Sequence, residues 1–284
     1  MKKRLLLISI IVIILLRLFI PYPNILWLED YSLDSEYFRN QDFGAGNLDK
    51  IEDFSNQYRI DFYDALSVFM ISNHCKLDSH FKPEYSKYLF AKNLLKSKKL
   101  IQYQKLKRGY QVILSDLKCF PVPANYDSKN LEIAYEDSFG EKRTYGGNRK
   151  HEGCDLMAKN NTSGYYPIIS MSDGTVENIG WLEKGGWRIG IRSPQGAYLY
   201  YAHLSDYFKD FKKGEKVKAG EILGFMGDTG YSKVEGTTGN FDVHLHLGIY
   251  MRTDLADEVS VNPYYILKYL EKKCVYYHYK TSLE

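Results

Sequence analysis

The stretch "GGWRIGIRSPQGAYLYYAHLS", residues 185–205, decides the fold. Two short runs rich in Ile, Trp and Tyr flank a Ser-Pro-Gln-Gly break, and neither run has the length or the 3.6-residue period of a helix. The same texture continues on both sides. "YPIISMSDGTVENIGW", residues 166–181, turns at an Asp-Gly pair, and "KKGEKVKAGEILGFMGDTG", residues 212–230, is punctuated by glycine. Short strands between such turns predict an antiparallel β-domain.

Upstream the period changes. "NLDKIEDFSNQY" (47–58) opens with a capping residue and early acids, and "DFYDALSVFMISN" (61–73) puts Phe62, Ala65, Leu66 and Phe69 at helical spacing. "PEYSKYLFAKNLLKSKK" (83–99) begins on proline and ends on lysines, the polarity a helix dipole favours. No motif falls in this region, and His74 and His80, without acidic or thiol companions at ligand spacing, read as surface residues. The prolines of "CFPVPANYDS" (119–128) mark a boundary near Cys119. The fold class is therefore α+β: a small helical region, 29–118, precedes an antiparallel β-sheet-rich domain, 119–284.

Residues 1–28 are of a third kind. Lys2, Lys3 and Arg4 precede a nearly unbroken apolar run from Leu5 to Ile20, with Arg17, Pro21 and Trp27 at its far end and no small-residue cleavage site. This predicts an uncleaved, single-pass transmembrane anchor that keeps the basic stub in the cytoplasm and the rest of the chain outside. Cys75, Cys119, Cys154 and Cys274 could form two disulfides in an exported chain, and no CxxC spacing supports a cysteine-only zinc site. The net charge of +3, from 38 basic and 35 acidic side chains, leaves no excess for a nucleic-acid-binding face. The 26 tyrosines and 14 phenylalanines suit β-structure and surfaces that contact sugars or peptides.

Three segments of the β-domain carry chemistry. In "DVHLHLGIY" (242–250), His244 and His246 project side by side from a strand with Cα atoms about 7 Å apart, while Val243, Leu245 and Leu247 take the opposite face. Such a pair can serve one ion together, divide metal binding from proton transfer, or face solvent. In "HEGCDLMA" (151–158), a straight strand would separate His151 from Asp155 by about 13 Å, so a shared ion requires a bend, which Gly153 between them can supply. In "YLYYAHLS" (198–205), period two puts Leu199, Tyr201 and His203 on one face, where Tyr201 could line a groove or pack in the core. Together the segments offer two or three imidazole nitrogens and a carboxylate, the donor set of a tetrahedral zinc with an open position.

From about Cys119 to Lys272 the chain resembles the M23 family of cell-wall endopeptidases, the LytM/lysostaphin type. The resemblance rests on "HEGCD" as H-x-G-x-D, "DGTVENIG", "YYAHLS", "KKGEKVKAGEILGFMGDTG" and "HLHLGI", in that order. It implies that His151, Asp155 and His246 bind one zinc ion per chain and that His203 and His244 are the catalytic histidines beside it. It also implies a peptidoglycan substrate, a stem peptide or a cross-bridge cut during cell-wall remodelling. The chain departs from the family in "YSKVEGTTGNFDV" (231–243), where a short Ser/Thr-Gly connection is common; the longer loop bears on substrate preference. Glu152 lacks the second histidine at i+4 that a general base of the H-E-x-x-H kind would accompany, and Cys154, adjacent to Asp155, points away from a shared ligand position. Two rival readings are a non-catalytic LytM-like module that binds or activates another wall protein, and a structural exported protein with an inert β-domain. His278, in the tail, reads as a surface residue.

Overall fold

The computed structural model describes residues 32–145 and 147–279. The expected anchor, 1–28, lies outside them, and among the described residues no helix is long and apolar enough to cross a membrane. The chain opens with helices α1 (Glu36–Arg39), α2 (Asn47–Tyr58), α3 (Phe62–Ser72), α4 (Tyr85–Lys98) and α5 (Leu100–Leu114). Short strands β1 (Ala124–Asn125), β2 (Ile133–Ala134), β3 (Lys142–Arg143) and β4 (Arg149–Lys150) lead into β5 (Cys154–Ala158) and β6 (Pro167–Ile169). Then come β7 (Gly174–Leu182), β8 (Gly186–Arg192), β9 (Tyr198–Tyr207), β10 (Lys216–Val217) and β11 (Ile222–Met226). The chain continues through β12 (His244–Met251), β13 (Val259–Val261), α6 (Tyr264–Leu270) and β14 (Tyr276–Tyr277).

Helix α3 starts where the Asp61 carboxylate accepts the Asp64 N–H at 2.9 Å, a side-chain N-cap. It is buried well beyond the one apolar face expected of it, because Val68, Met70 and Ile71 are also enclosed by its helical neighbours. Asp64 sits within this apolar helix, accepting hydrogen bonds from Tyr88, Tyr103 and Lys92. Burial alone would raise its carboxyl, but these donors outweigh that and hold its pKa at about 2, against 3.8 when unperturbed. The folded value is the lower one, so the stabilisation is complete above about pH 4 and is lost as pH falls toward 2. Asp64→Asn is expected to cost about 2 kcal/mol at neutral pH, read by denaturant unfolding, with the gap to wild type closing below pH 4. A gap that persists unchanged at pH 2 would contradict the assignment.

The main sheet runs β10-β7-β8-β9-β12-β5-β2, with β13 on β12 and β11 bridging β9 and β6. Every pairing in it is antiparallel. Leu245, Leu247 and Ile249 of β12 point into a core shared with Leu199, Tyr201, Ile189 and Ile191, all fully buried. Helix α5 lies against β12, and helical and sheet side chains form one continuous apolar cluster. Arg39 fastens the two parts: Nε and Nη2 donate to Ser260 O and Oγ at 2.9 and 2.8 Å.

All four cysteines are free thiols, so the two disulfides open to the sequence are not formed. The tail returns to the start of the β-domain, where β14 pairs in parallel with β1, and His278 is exposed as expected. His74 and His80 are exposed too.

Candidate active site

β12 runs between β5 and β9, so His246 stands directly opposite Asp155 on one side and Ala202 on the other. The alternation expected of "HLHL" holds: Leu245 and Leu247 enter the core while His244 and His246 line a cavity on the other face. Cys154 turns away, its thiol donating to Glu136 O at 3.4 Å, and exposed Glu152 lines the cavity without joining the donor cluster.

His151 reaches this face because the chain enters β5 only at Cys154. Gly153 matters for a different reason than its expected conformational freedom. Its φ is not positive; instead a Cβ there would sit 2.5 Å from Leu247 O and 2.7 and 2.8 Å from Cε1 and Nε2 of His246. Gly153→Ala is thus expected to displace His246 and weaken zinc binding by roughly 10-fold or more, read by chelator competition. Unaltered affinity would show that the ring tolerates the shift.

Three donor atoms converge. His151 Nε2 lies 3.0 Å from both Asp155 Oδ1 and His246 Nδ1, and the last two are 2.9 Å apart. Ligand atoms around a tetrahedral zinc, with bonds of about 2.0–2.1 Å, stand about 3.3 Å apart, so the triangle fits the ion after shifts of a few tenths of an ångström. His151 Nδ1 lies 3.0 Å from Ser138 O and 3.1 Å from Arg143 Nη2, and donating to the carbonyl leaves the Nε2 lone pair for the centre. Arg143 Nη2 holds Asp155 Oδ2 at 3.0 Å and leaves Oδ1 to the triangle. Burial opposes ionisation of Asp155, but the neighbouring His151 and His246 rings override it and keep the carboxyl well below the usual range. Burial lowers the His246 pKa, which favours the neutral ligating form.

His203 joins them through an irregularity. β9 pairs with β12 up to Ala202 and with β11 from Leu204, and His203, at the fork, has φ +63°. Against β8 the register slips there, with Ile189 opposite Tyr201 but Trp187 opposite Leu204. The bulge breaks period two and overturns the expected common face of Leu199, Tyr201 and His203. His203 lines the cavity with Tyr198 and Tyr200, while Tyr201 is in the core with its hydroxyl accepting Met171 N–H at 2.9 Å.

The rings of His203 and His244 are 4.7 Å apart. Their Nδ1 atoms bond the carbonyls of Thr229 and Asp242, each at 2.7 Å, so Nδ1 carries hydrogen and Nε2 is the free acceptor. Burial first, and then the charges of His244 and His246, push the His203 pKa well below its ordinary value. The cavity is about 460 Å³. From the loop that departs from the family, Tyr231 lines it 5.9 Å from the His203 ring, and Phe241 packs on His203 at 4.6 Å. Tyr145 stacks on Tyr231 at 4.4 Å. Tyr200, Tyr198 and Tyr250 lie over Gly185, Gly190 and Gly248, where an added Cβ would come within 2.1, 1.9 and 2.5 Å of them.

Fold and donor set together are those of a metallo-endopeptidase domain. The family model for peptidase family M23 matches residues 149–263. A crystal structure of a glycyl-glycine endopeptidase candidate, lytM, from Ruminococcus gnavus ATCC 29149 is 38% identical over 90% of this chain and 98% of that one, with a TM-score of 0.76. The chain belongs to peptidase family M23. That likeness extends beyond the family match to the helical region. The L-Ala–D-Glu endopeptidase of Bacillus subtilis is 37% identical over 171 residues, 60% of this chain and 49% of that protein. The glycyl-glycine endopeptidase ALE-1 of Staphylococcus capitis is 39% identical over 89 residues, 31% of this chain and 22% of that protein. The chain thus spans about half the length of the first of these relatives and less of the second.

Proposed function

We propose that the chain is a zinc-dependent endopeptidase that hydrolyses peptide bonds in peptidoglycan stem peptides or cross-bridges, acting outside the membrane on a single N-terminal anchor. One observation carries the reading: three donor atoms within 3.0 Å of one another border a cavity that two further histidines also line. His151, Asp155 and His246 would hold one zinc ion and leave a position open to substrate. Zinc supplies Lewis-acid polarisation of the scissile carbonyl and a nucleophile at neutral pH.

The remaining steps belong to the chain. His203, kept neutral by burial, offers Nε2 to a proton from the attacking water, and its Nδ1–H stays on Thr229 O throughout. His244 offers a second Nε2 beside it, and whichever ring takes the water's proton becomes an Nε2–H donor that stabilises the oxyanion and returns that proton to the leaving amine. The aromatic wall of Phe241 and Tyr231 shields both rings from bulk water.

The test is mass spectrometry of fragments released from defined peptidoglycans by the zinc-loaded chain. New peptide termini are expected, and their identity names the bond. Zinc-loaded protein inactive on walls of several cross-link types would favour the binding-module reading instead.

A further inference from the structure

Arg188, on β8, lines the same cavity as the five site residues. Its Nη1 is shut off from solvent and has no hydrogen-bond partner among the described residues. Four residues along the same strand Arg192 is fully engaged, gripping Glu177 through Nε and Nη2 and pairing with Glu258. Arg188 has no such carboxylate among the described residues. Opposite it on β7 is Gly180, where even an added Cβ would meet nothing within 4 Å.

The other charged groups of the cavity are otherwise disposed. Arg149 bonds Tyr145 O and the Tyr231 hydroxyl, Asp155 belongs to the donor triangle, and Glu258 is held by Arg192. Lys184 and Glu152 are exposed at the rim. Arg188 as a whole is half-buried, and a guanidinium with one nitrogen withdrawn from water without a partner lacks the anion its planar fork is built to take.

We propose that Arg188 determines specificity by binding a free carboxylate of the substrate peptide, so that the chain takes acidic stem peptides in preference to neutral oligoglycine bridges. This rests on the peptidoglycan reading above. A stem peptide offers two such carboxylates: the α-carboxylate left free by a γ-linked D-glutamate, and the C-terminal one.

The test uses the zinc-loaded full chain and three versions of one synthetic peptide, L-Ala-γ-D-Glu-L-Lys-D-Ala. One carries both carboxylates, one has D-isoglutamine in place of D-glutamate, and one has a C-terminal amide. Hydrolysis and binding by calorimetry are both measured, because hydrolysis judges the peptidase reading and the binding ratios judge Arg188. Wild type is expected to prefer the diacid over one of the two amides by roughly 10- to 100-fold, and that amide identifies the carboxylate. Arg188→Gln is expected to collapse that ratio with zinc content retained, and Arg188→Lys to restore part of it. Equal binding of all three peptides by wild type, or an Arg188→Gln ratio equal to wild type's, overturns the proposal. Failure to cleave any of the three, with the binding ratios as expected, would count against the hydrolytic reading alone.

Discussion

His246→Ala is expected to lose zinc and activity together. The residue supplies one of the three donor atoms that converge among the described residues and stands on β12 between Asp155 and Ala202, so no neighbouring imidazole can move into its place without breaking the β12 ladder. A catalytic metal contributes several kcal/mol of transition-state stabilisation, so the rate should fall by more than about a thousand-fold. Elemental analysis of the purified variant gives the zinc content, and amine release from peptidoglycan gives the rate. Zinc retained at the wild-type level would show that the triangle is drawn from the wrong atoms.

His244→Ala should behave differently despite lying only two residues away. Its Nε2 is 3.9 Å from Asp155 Oδ1, outside the 3.0 Å triangle, and its Nδ1 is committed to Asp242 O. Zinc is therefore expected to remain while kcat falls by roughly 10²- to 10⁴-fold, the usual value of a positioned proton-transfer group. His203→Ala should follow the same pattern, because His203 is fixed by Thr229 rather than by the donor triangle. If His244→Ala and His246→Ala lost zinc equally, the division between ligand and proton carrier would be wrong.

These predictions depend on features of unequal visibility in the sequence. The faces of His244 and His246 followed from alternation because β12 is a regular strand with the core on one side. His203 was recognisable as a site residue, but its face was not: the slip at the β9 fork arises from a change of pairing partner that no local pattern records. Gly153 was singled out correctly, yet what demands glycine is the backbone and ring of another strand, a contact made only in the folded sheet. Arg143 and Arg188 gave no signal, since among 38 basic residues only burial and geometry distinguish those that face the cavity. Helix α3 illustrates the same limit in the core: the spacing of Phe62, Ala65, Leu66 and Phe69 marked the helix, but not the burial of Val68, Met70 and Ile71 as well.

The most direct test of the central claim is amine release from purified peptidoglycan by the full chain, followed through zinc removal with a chelator and stepwise return of zinc. Release should stop on removal and recover fully at about one zinc per chain. Release that survives chelation, or a zinc-loaded chain that frees no amino groups, would contradict it.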